Sequence, residues 1–242
     1  EYEAANPGRV FGINIHAGSY AANTYTTQWG NALMNQAQVT GFPSGSINRE
    51  YFTYYDNYYQ QEITSMALGR DMFVSCGNQI LAQTSFVNVA AQASIDATTR
   101  VMTVNVEAYY TADAATASNK LNVVLLQDSI IGPQSGASAN PSQVTADGQY
   151  IHMNMLRDML TGQWGDDITA PEGSNVIPAG TLIQRTYTYN IPGSISNELV
   201  KLGHLKLVVF VARDQQEIYT GSECKPTVTN LPELAAMSTT MS

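Results

Sequence analysis

The spacing of apolar residues changes character near Thr84. Upstream they recur mostly three and four residues apart, and downstream they alternate with polar residues. Trp29, Leu33 and Ala37 predict a helix over Thr27–Gln38, with Thr26 or Thr27 as its cap. Phe52 to Leu68 carries Tyr54, Tyr55, Tyr58, Tyr59, Ile63, Met66 and Ala67. That recurrence predicts a second helix with an aromatic face, closed by Gly69. Val10–His16 reads as a buried strand after a leader loop, and Tyr20–Thr27 as a loop. Asp71–Gln83 is apolar enough to be buried and is undecided between helix and strand, with Gly77 as a break.

From Phe86 onward the period is two. Val87, Val89, Ala91, Ala93 and Ile95 face one way. After a turn at Asp96–Thr99, so do Met102, Val104, Val106, Ala108 and Tyr110. This is a hairpin with one solvated face. Leu121–Leu126 is a more continuously apolar strand. Ile183–Ile191 alternates through Arg185, Tyr187 and Tyr189. Leu205–Ala212 is the most hydrophobic strand, and Gln216–Thr220 is a short partner to it. Short strands without intervening helices predict a β-sandwich. Two long connections interrupt it, Ser129–Gln149 and Gly165–Gly180, and connections of this length are commonly functional or disordered. The block Tyr150–Trp164 fits strand and helix equally and stays open. The end of the chain from about Leu231 is expected to be poorly ordered.

Between the first two predicted helices lies Val39–Arg49, with Pro43 flanked by Phe42 and Ser44 and by Gly41 and Gly45 further out. Proline fixes its own φ and extends the residue before it, while glycine opens angles closed to other residues. The expectation is a sharp turn feeding a short extended run, Ser46–Arg49. Trans is the default for the Phe42–Pro43 bond, and the preceding aromatic raises the cis fraction.

Composition narrows the function classes. The chain has 242 residues, 44% of them hydrophobic and 13% charged, with a net charge of −9. No Lys/Arg cluster interrupts the acidic balance, so nucleic acid and anionic lipid surfaces are disfavoured as partners. No segment reaches the length of a membrane span, and no signal peptide is visible. The opening at Glu1 without a Met points to a processed or trimmed chain. Cys76 and Cys224 fit neither a CxxC redox site nor a zinc site. Each reads as a small buried hydrophobe, and an oxidising compartment would let the two form a disulfide.

Few residues offer chemistry. His16, His152 and His204 show no metal-binding spacing. Asp166, Asp167 and Glu172 match no calcium loop and read as a solvated acidic loop. No G-x-S-x-G elbow supports a serine hydrolase. The tyrosines at 54, 55, 58 and 59 exceed what one helix face can bury, so some should be exposed as a contact surface. His152 and Arg157 could orient the loop after Tyr150. Trp164 reads as a core anchor first and an exposed binding aromatic second. No metal or cofactor is implied, and no catalytic residue is assigned.

Taken together, several short motifs resemble one family. These are Ile15-His16-Ala17-Gly18, Gly41-Phe42-Pro43-Ser44-Gly45, Asn48-Arg49, the strand Leu121–Gln127, and the block Tyr150-Ile151-His152, Leu156-Arg157 and Trp164-Gly165. In this order they resemble the outer-membrane "Omp twenty-eight" lipoprotein family of Bacteroidetes, over about residues 8 to 224. The order strand, helix, proline turn and strand in the first half also reads as part of a thioredoxin-like fold, and Pro43 resembles the cis-proline that faces the active site of that fold. The resemblance implies an α+β chain in which an incomplete thioredoxin-like module spans 1–84. An immunoglobulin-like antiparallel β-sandwich follows over 85–226, with a tail over 227–242. It also implies a lipid-anchored outer-membrane or cell-envelope protein. The family's upstream strand, Cys-containing helix, signal peptide and lipid-modified Cys are absent from this sequence. Without that strand, Val10–His16 would leave an open sheet edge. Asp128-Ser129-Ile130 has the form of the O-glycan acceptor of Bacteroidetes envelope proteins.

The expected function is therefore non-catalytic: a surface ectodomain for adhesion or for binding a protein or glycan ligand. Tyr54, Tyr55, Tyr58, Tyr59, His152, Arg157 and Trp164 form its candidate surface. The alternative is the remnant of a thiol–disulfide oxidoreductase whose cysteines lie upstream. A third reading is a purely structural assembly part.

Overall fold

The structure, a computed structural model, describes residues 2–19, 21–57 and 60–230. Two sheets packed face to face dominate it. One is four-stranded, in the order β10-β4-β3-β15, formed by β3 (Val87–Asp96), β4 (Val101–Tyr110), β10 (Leu182–Asn190) and β15 (Thr227–Thr229). The other runs β14-β13-β5-β8, from β5 (Ser118–Gln127), β8 (Met155–Met159), β13 (Leu205–Ala212) and β14 (Ile218–Cys224). A short β9 (Asp166–Thr169) pairs with the first half of β5. Small ladders complete the chain: β1 (Phe52–Asp56) with β2 (Gln61–Ser65), β6 (Ile130–Gly132) with β7 (Tyr150–His152), and β11 (Ser194–Ile195) with β12 (Glu198–Leu199). The helices are α1 (Tyr2–Ala5), α2 (Gly30–Gln36) and α3 (Phe73–Leu81).

The sandwich is the β-sandwich expected from the period-two pattern. Val87, Val89 and Ile95 of β3 and Met102, Val104, Val106, Ala108 and Tyr110 of β4 point inward. They meet Leu121, Val123 and Leu125 of β5 and Leu207, Val209 and Val211 of β13. The β3–β4 turn is tied by the Asp96 carboxylate, which accepts from the backbone N–H groups of Thr98 and Thr99.

The second sheet has two buried faces, which explains the unbroken apolar runs of β5 and β13. Val124, Leu126, Val208, Phe210 and Ala212 point away from the sandwich interior and are covered by Phe11, Ile13, Trp29 and Leu33 from the start of the chain. A strand buried on both faces loses its polar alternation. Residues from before Thr84 thus pack directly against the sandwich.

The upstream region departs most from expectation. Phe52–Asp56 and Gln61–Ser65 pair as an antiparallel hairpin where a helix was expected. Tyr, Phe and Thr favour the pleated sheet. Alternation along β1 turns Phe52 and Tyr54 toward Leu68 and Cys76, and sends Thr53 and Tyr55 to solvent. Leu68 then bonds back to Gly45 through both of its backbone groups, at 3.1 and 2.8 Å. Among the described residues before Thr84, this hairpin is the only sheet. Val10–His16 is not a regular strand. It runs beside β8 with one parallel bridge, Asn14 to Met155. Ser46–Arg49 is not an extended run either, because Asn48 and Arg49 both adopt left-handed angles. The helix expected over Thr27–Gln38 shortens to Gly30–Gln36, with Trp29 at its N-cap. No side chain caps it, and the Thr26 hydroxyl bonds Asn23 instead.

The undecided Asp71–Gln83 is mainly α3. Gly77 lies inside that helix rather than breaking it, where the ring of Tyr2 occupies the space a Cβ would need. The undecided Tyr150–Trp164 is β7, β8 and a turn. Both long connections contain strands, β6 and β9. Thr227–Thr229, expected in the tail, closes the four-stranded sheet as a strand parallel to β3. Cys76 and Cys224 are both free. One is sealed in the small cluster under the hairpin and the other lies on β14, so the disulfide that an oxidising compartment would have allowed is not formed. The Phe42–Pro43 peptide bond is cis. Tyr58, Tyr59 and the tail from Leu231 lie outside the described residues.

Candidate functional site

The structure separates the proposed surface residues into three places. His152 and Arg157 lie in one. The chain between β7 and β8 crosses from the β6–β7 ladder to the second sheet, carrying His152 at one end and Arg157 within β8. Both are buried, 4% and 1% exposed. They do not line an open loop.

Around His152 the rings of His16, Tyr25 and Tyr150 close at centroid distances of 5.2, 4.8 and 5.0 Å, and His16 also meets Tyr25 at 5.3 Å. Edge-to-face geometry of this kind suits the positive edge of one ring against the negative face of the next. His16 arrives on the extended N-terminal segment, which is docked by the Asn14 N–H donating to Asn154 and the Leu156 N–H donating to Asn14. Tyr25 fits because Gly132 opposite it lacks a side chain; a Cβ there would collide with the tyrosine hydroxyl.

Three nitrogens in this neighbourhood find no partner among the described residues: His16 Nδ1, His152 Nε2 and Arg157 Nε. The Arg157 guanidinium donates to the carbonyls of Thr24 and Ile195. Burial lowers the basicity of both imidazoles. For His16, the neighbouring His152 and Arg157 add to the effect, bringing it to about 4. For His152, a hydrogen bond to the Pro133 carbonyl partly opposes burial. Both rings are therefore neutral at pH 7. Among the described residues no three His, Cys, Asp or Glu side chains converge as a metal site would require.

Next to this cluster, Asp158 accepts from Trp29 Nε1 at 2.8 Å and from the Tyr189 hydroxyl at 2.6 Å, tying α2 to the sandwich.

Trp164 lies in the second place. It packs against the outer face of the second sheet with the Arg49 guanidinium 5.6 Å from its ring centroid and 5.0 Å from that of Phe210. It is half-buried, packed on the edge of a core cluster rather than presented as an exposed binding aromatic. Arg49 is itself buried, and burial pulls its pKa down to about 10. The cation–π pairing replaces part of the solvation it loses.

The third place is the β1–β2 hairpin. Tyr54 faces inward, whereas Tyr55 is 54% exposed and Tyr51, on the same face, 47%. Thr53 and Thr64 share a hydroxyl hydrogen bond of 2.8 Å across that face, and Tyr55 pairs across the ladder with Glu62. Tyr51 and Tyr25 carried no sequence signal that separated them from the other tyrosines, and Tyr150 stood out only as part of a motif block. The expected acidic loop is engaged: Asp166 accepts from the Tyr187 hydroxyl, and Asp167 pairs with Lys120 at 2.8 Å. Ser129 is half-buried with a left-handed φ. Neither thiol is activated. Burial raises Cys76, and raises Cys224 to about 11.

Comparison with known proteins gives these features a context. Among solved structures, HBP35 of Porphyromonas gingivalis shares the fold with a TM-score of 0.56 at 16% identity, over 84% of this chain and 60% of that one. The chain thus spans about three-fifths of that protein's length. A domain of the outer membrane lipoprotein Omp28 from Porphyromonas gingivalis aligns with a TM-score of 0.38 at 16% identity, over 61% of this chain and 93% of that one. No curated protein matches the sequence. The family model described as "Outer membrane protein Omp28" matches residues 30–227. With most of its length so matched, the chain belongs to the Omp28 family, and its place is the outer membrane of the cell envelope.

Proposed function

We propose that this chain is a non-catalytic, ligand-binding ectodomain of a lipid-anchored outer-membrane protein. In this reading a thioredoxin-like module over 1–84 is joined to an immunoglobulin-like sandwich. Family membership supports the setting. The observation that carries the binding role is the solvent face of the β1–β2 hairpin, with Tyr51 and Tyr55 half-exposed on either side of Thr53. Of the nine large hydrophobic residues exposed among the described residues, four (Phe42, Tyr51, Tyr55 and Val74) fall within positions 42–74. Exposed tyrosines suit a protein or glycan partner, because they present large area at little side-chain entropic cost. His152, Arg157 and Trp164 are withdrawn from the proposed surface, since all three serve internal packing.

The test is a binding screen of the intact protein against envelope glycans and extracellular-matrix proteins, followed by Tyr51→Ser and Tyr55→Ser. Each substitution should weaken any captured ligand by about tenfold or more, the scale of an interface hot spot, with the melting temperature unchanged. A folded protein that captures nothing, or binding indifferent to both substitutions, would sink the proposal.

A further inference from the structure

We infer that the ring cluster is an acid-released latch: protonation of His16 and His152 frees the segment 10–19 from the edge of the second sheet. The two histidines come from different sides of one seam. His16 rides on the extended segment that touches β8 through a single bridge, and His152 belongs to β7. That segment has no ladder of its own to hold it. Its backbone attachment to the sandwich is the pair of bonds at Asn14, 2.8 and 2.9 Å long, together with side-chain packing. Beyond those bonds and Asn14 Nδ2 donating to the Met153 carbonyl, the contact depends on Phe11 and Ile13 against the sheet and on His16 in the ring cluster.

The groups facing the imidazoles leave no place for added positive charge. Tyr25 and Tyr150 present rings. Arg157, from β8, is already a buried cation. Glu198 of β12 acts electrostatically on Tyr25 and Arg157. At the rim, the Glu3 carboxylate is engaged by the Gly12 N–H and Asn154 Nδ2, and Asp128 by the Asn154 N–H. Among the described residues no carboxylate pairs with either histidine.

The direction follows from linkage. In the closed state His16 titrates near 4 rather than at its ordinary value of 6.5, and His152 is shifted the same way. The closed seam is fully stable above pH 6.5. As pH falls below that value the open state takes up protons that the closed state refuses, so opening grows until the closed-state value is reached. Discounting for the partial exposure of His16, lowering the pH from 7.5 to 4.5 should raise the opening equilibrium on the order of ten- to a hundredfold. The apolar contact of Phe11 and Ile13 with the outer face of the second sheet is what the latch keeps closed.

Amide hydrogen exchange reads this directly. The Asn14 and Leu156 N–H groups are the docking donors, and the Val209 N–H, deep in β13, serves as reference. After correction for intrinsic rates, protection at Asn14 and Leu156 should fall at least tenfold between pH 7.5 and 4.5 while Val209 stays protected. The double variant His16→Gln/His152→Gln should lose that pH dependence. Should that variant not fold, ring-proton NMR titration of the unaltered protein decides: titration of His16 near 4 with His152 shifted below its ordinary value supports the latch, and titration of both at the ordinary value overturns it. Unchanged protection at the two amides, or simultaneous loss at Val209, also overturns it.

Discussion

The sandwich and the hairpin region are built from the same kinds of residue and held by very different amounts of burial. Between its sheets the sandwich buries at least a dozen Val, Leu, Ile and Met side chains from β3, β4, β5 and β13. The hairpin rests on a cluster whose fully buried members are Phe52, Leu68 and Cys76. At about 1.5–3 kcal/mol for each large apolar side chain buried, the second cluster cannot offset the ordering of the residues around it. The hairpin is therefore held partly by its neighbours, through Gly45, Phe73 and Tyr54. Regularity and stability go together here: where the core is large the ladder runs for ten residues, and where it is small the chain turns every few residues.

The strongest challenge to that contrast is Leu125→Ala, at the fully buried centre of β5. It should lower the global unfolding free energy by about 2–5 kcal/mol, seen as a shifted urea midpoint. A loss below about 1 kcal/mol would mean the sandwich core is not the cooperative unit. Leu68→Ala removes an equally buried leucine from the small cluster. It should cost the hairpin about 2 kcal/mol of local opening free energy by hydrogen exchange, while the urea midpoint of the sandwich hardly moves. A full global loss would show instead that both regions unfold as one. The smallest effect is expected at the seam between them. Trp164→Leu keeps apolar bulk but removes the ring under Arg49, and should cost about 1 kcal/mol. No measurable change would show that Phe210 alone accommodates the guanidinium.

The same contrast governs what the sequence revealed. The alternation in β3, β4 and β10 was legible because each of these strands has one wet face. The run in β13 was legible as a strand because its length and β-branched content exclude most alternatives. What lay hidden was the reason for that run: a second buried face, supplied by Phe11, Ile13, Trp29 and Leu33. Those residues sit more than eighty positions upstream of the strands they cover, and helical spacing in Trp29 and Leu33 reports a face without naming its partner.

The hairpin failed for the opposite reason. Tyrosines at 54, 55, 58 and 59 satisfy a period of 3.6 by position, yet their side chains prefer the pleat, and over so short a segment Gly45 and Leu68 decide. Of the candidate surface, the exposure of some of the four tyrosines was readable, since they could not all be buried, but not that Tyr55 would be exposed and Tyr54 turned inward. His152 and Arg157 were found as residues but misplaced, because nothing local shows that Gly132 leaves room for Tyr25 or that His16 arrives from the far end of the chain. The Omp28 resemblance came from the order of motifs, and the family match over residues 30–227 bears it out.

The strand that ends the four-stranded sheet has a mechanical consequence. β15 runs parallel to β3, with Thr227, Val228 and Thr229 beside Ser94, Ile95 and Asp96, and the Ala97 N–H adds a further bond to Thr229. Tension applied between the entry to β3 at Val87 and the exit at Thr229 pulls two parallel neighbours in opposite directions along their own axes. Their bonds are loaded together in shear rather than peeled one at a time. An antiparallel terminal strand leaving at the other end would unzip under the same load. A three-residue clamp thus gives a protein of the outer membrane a grip where its chain leaves the domain.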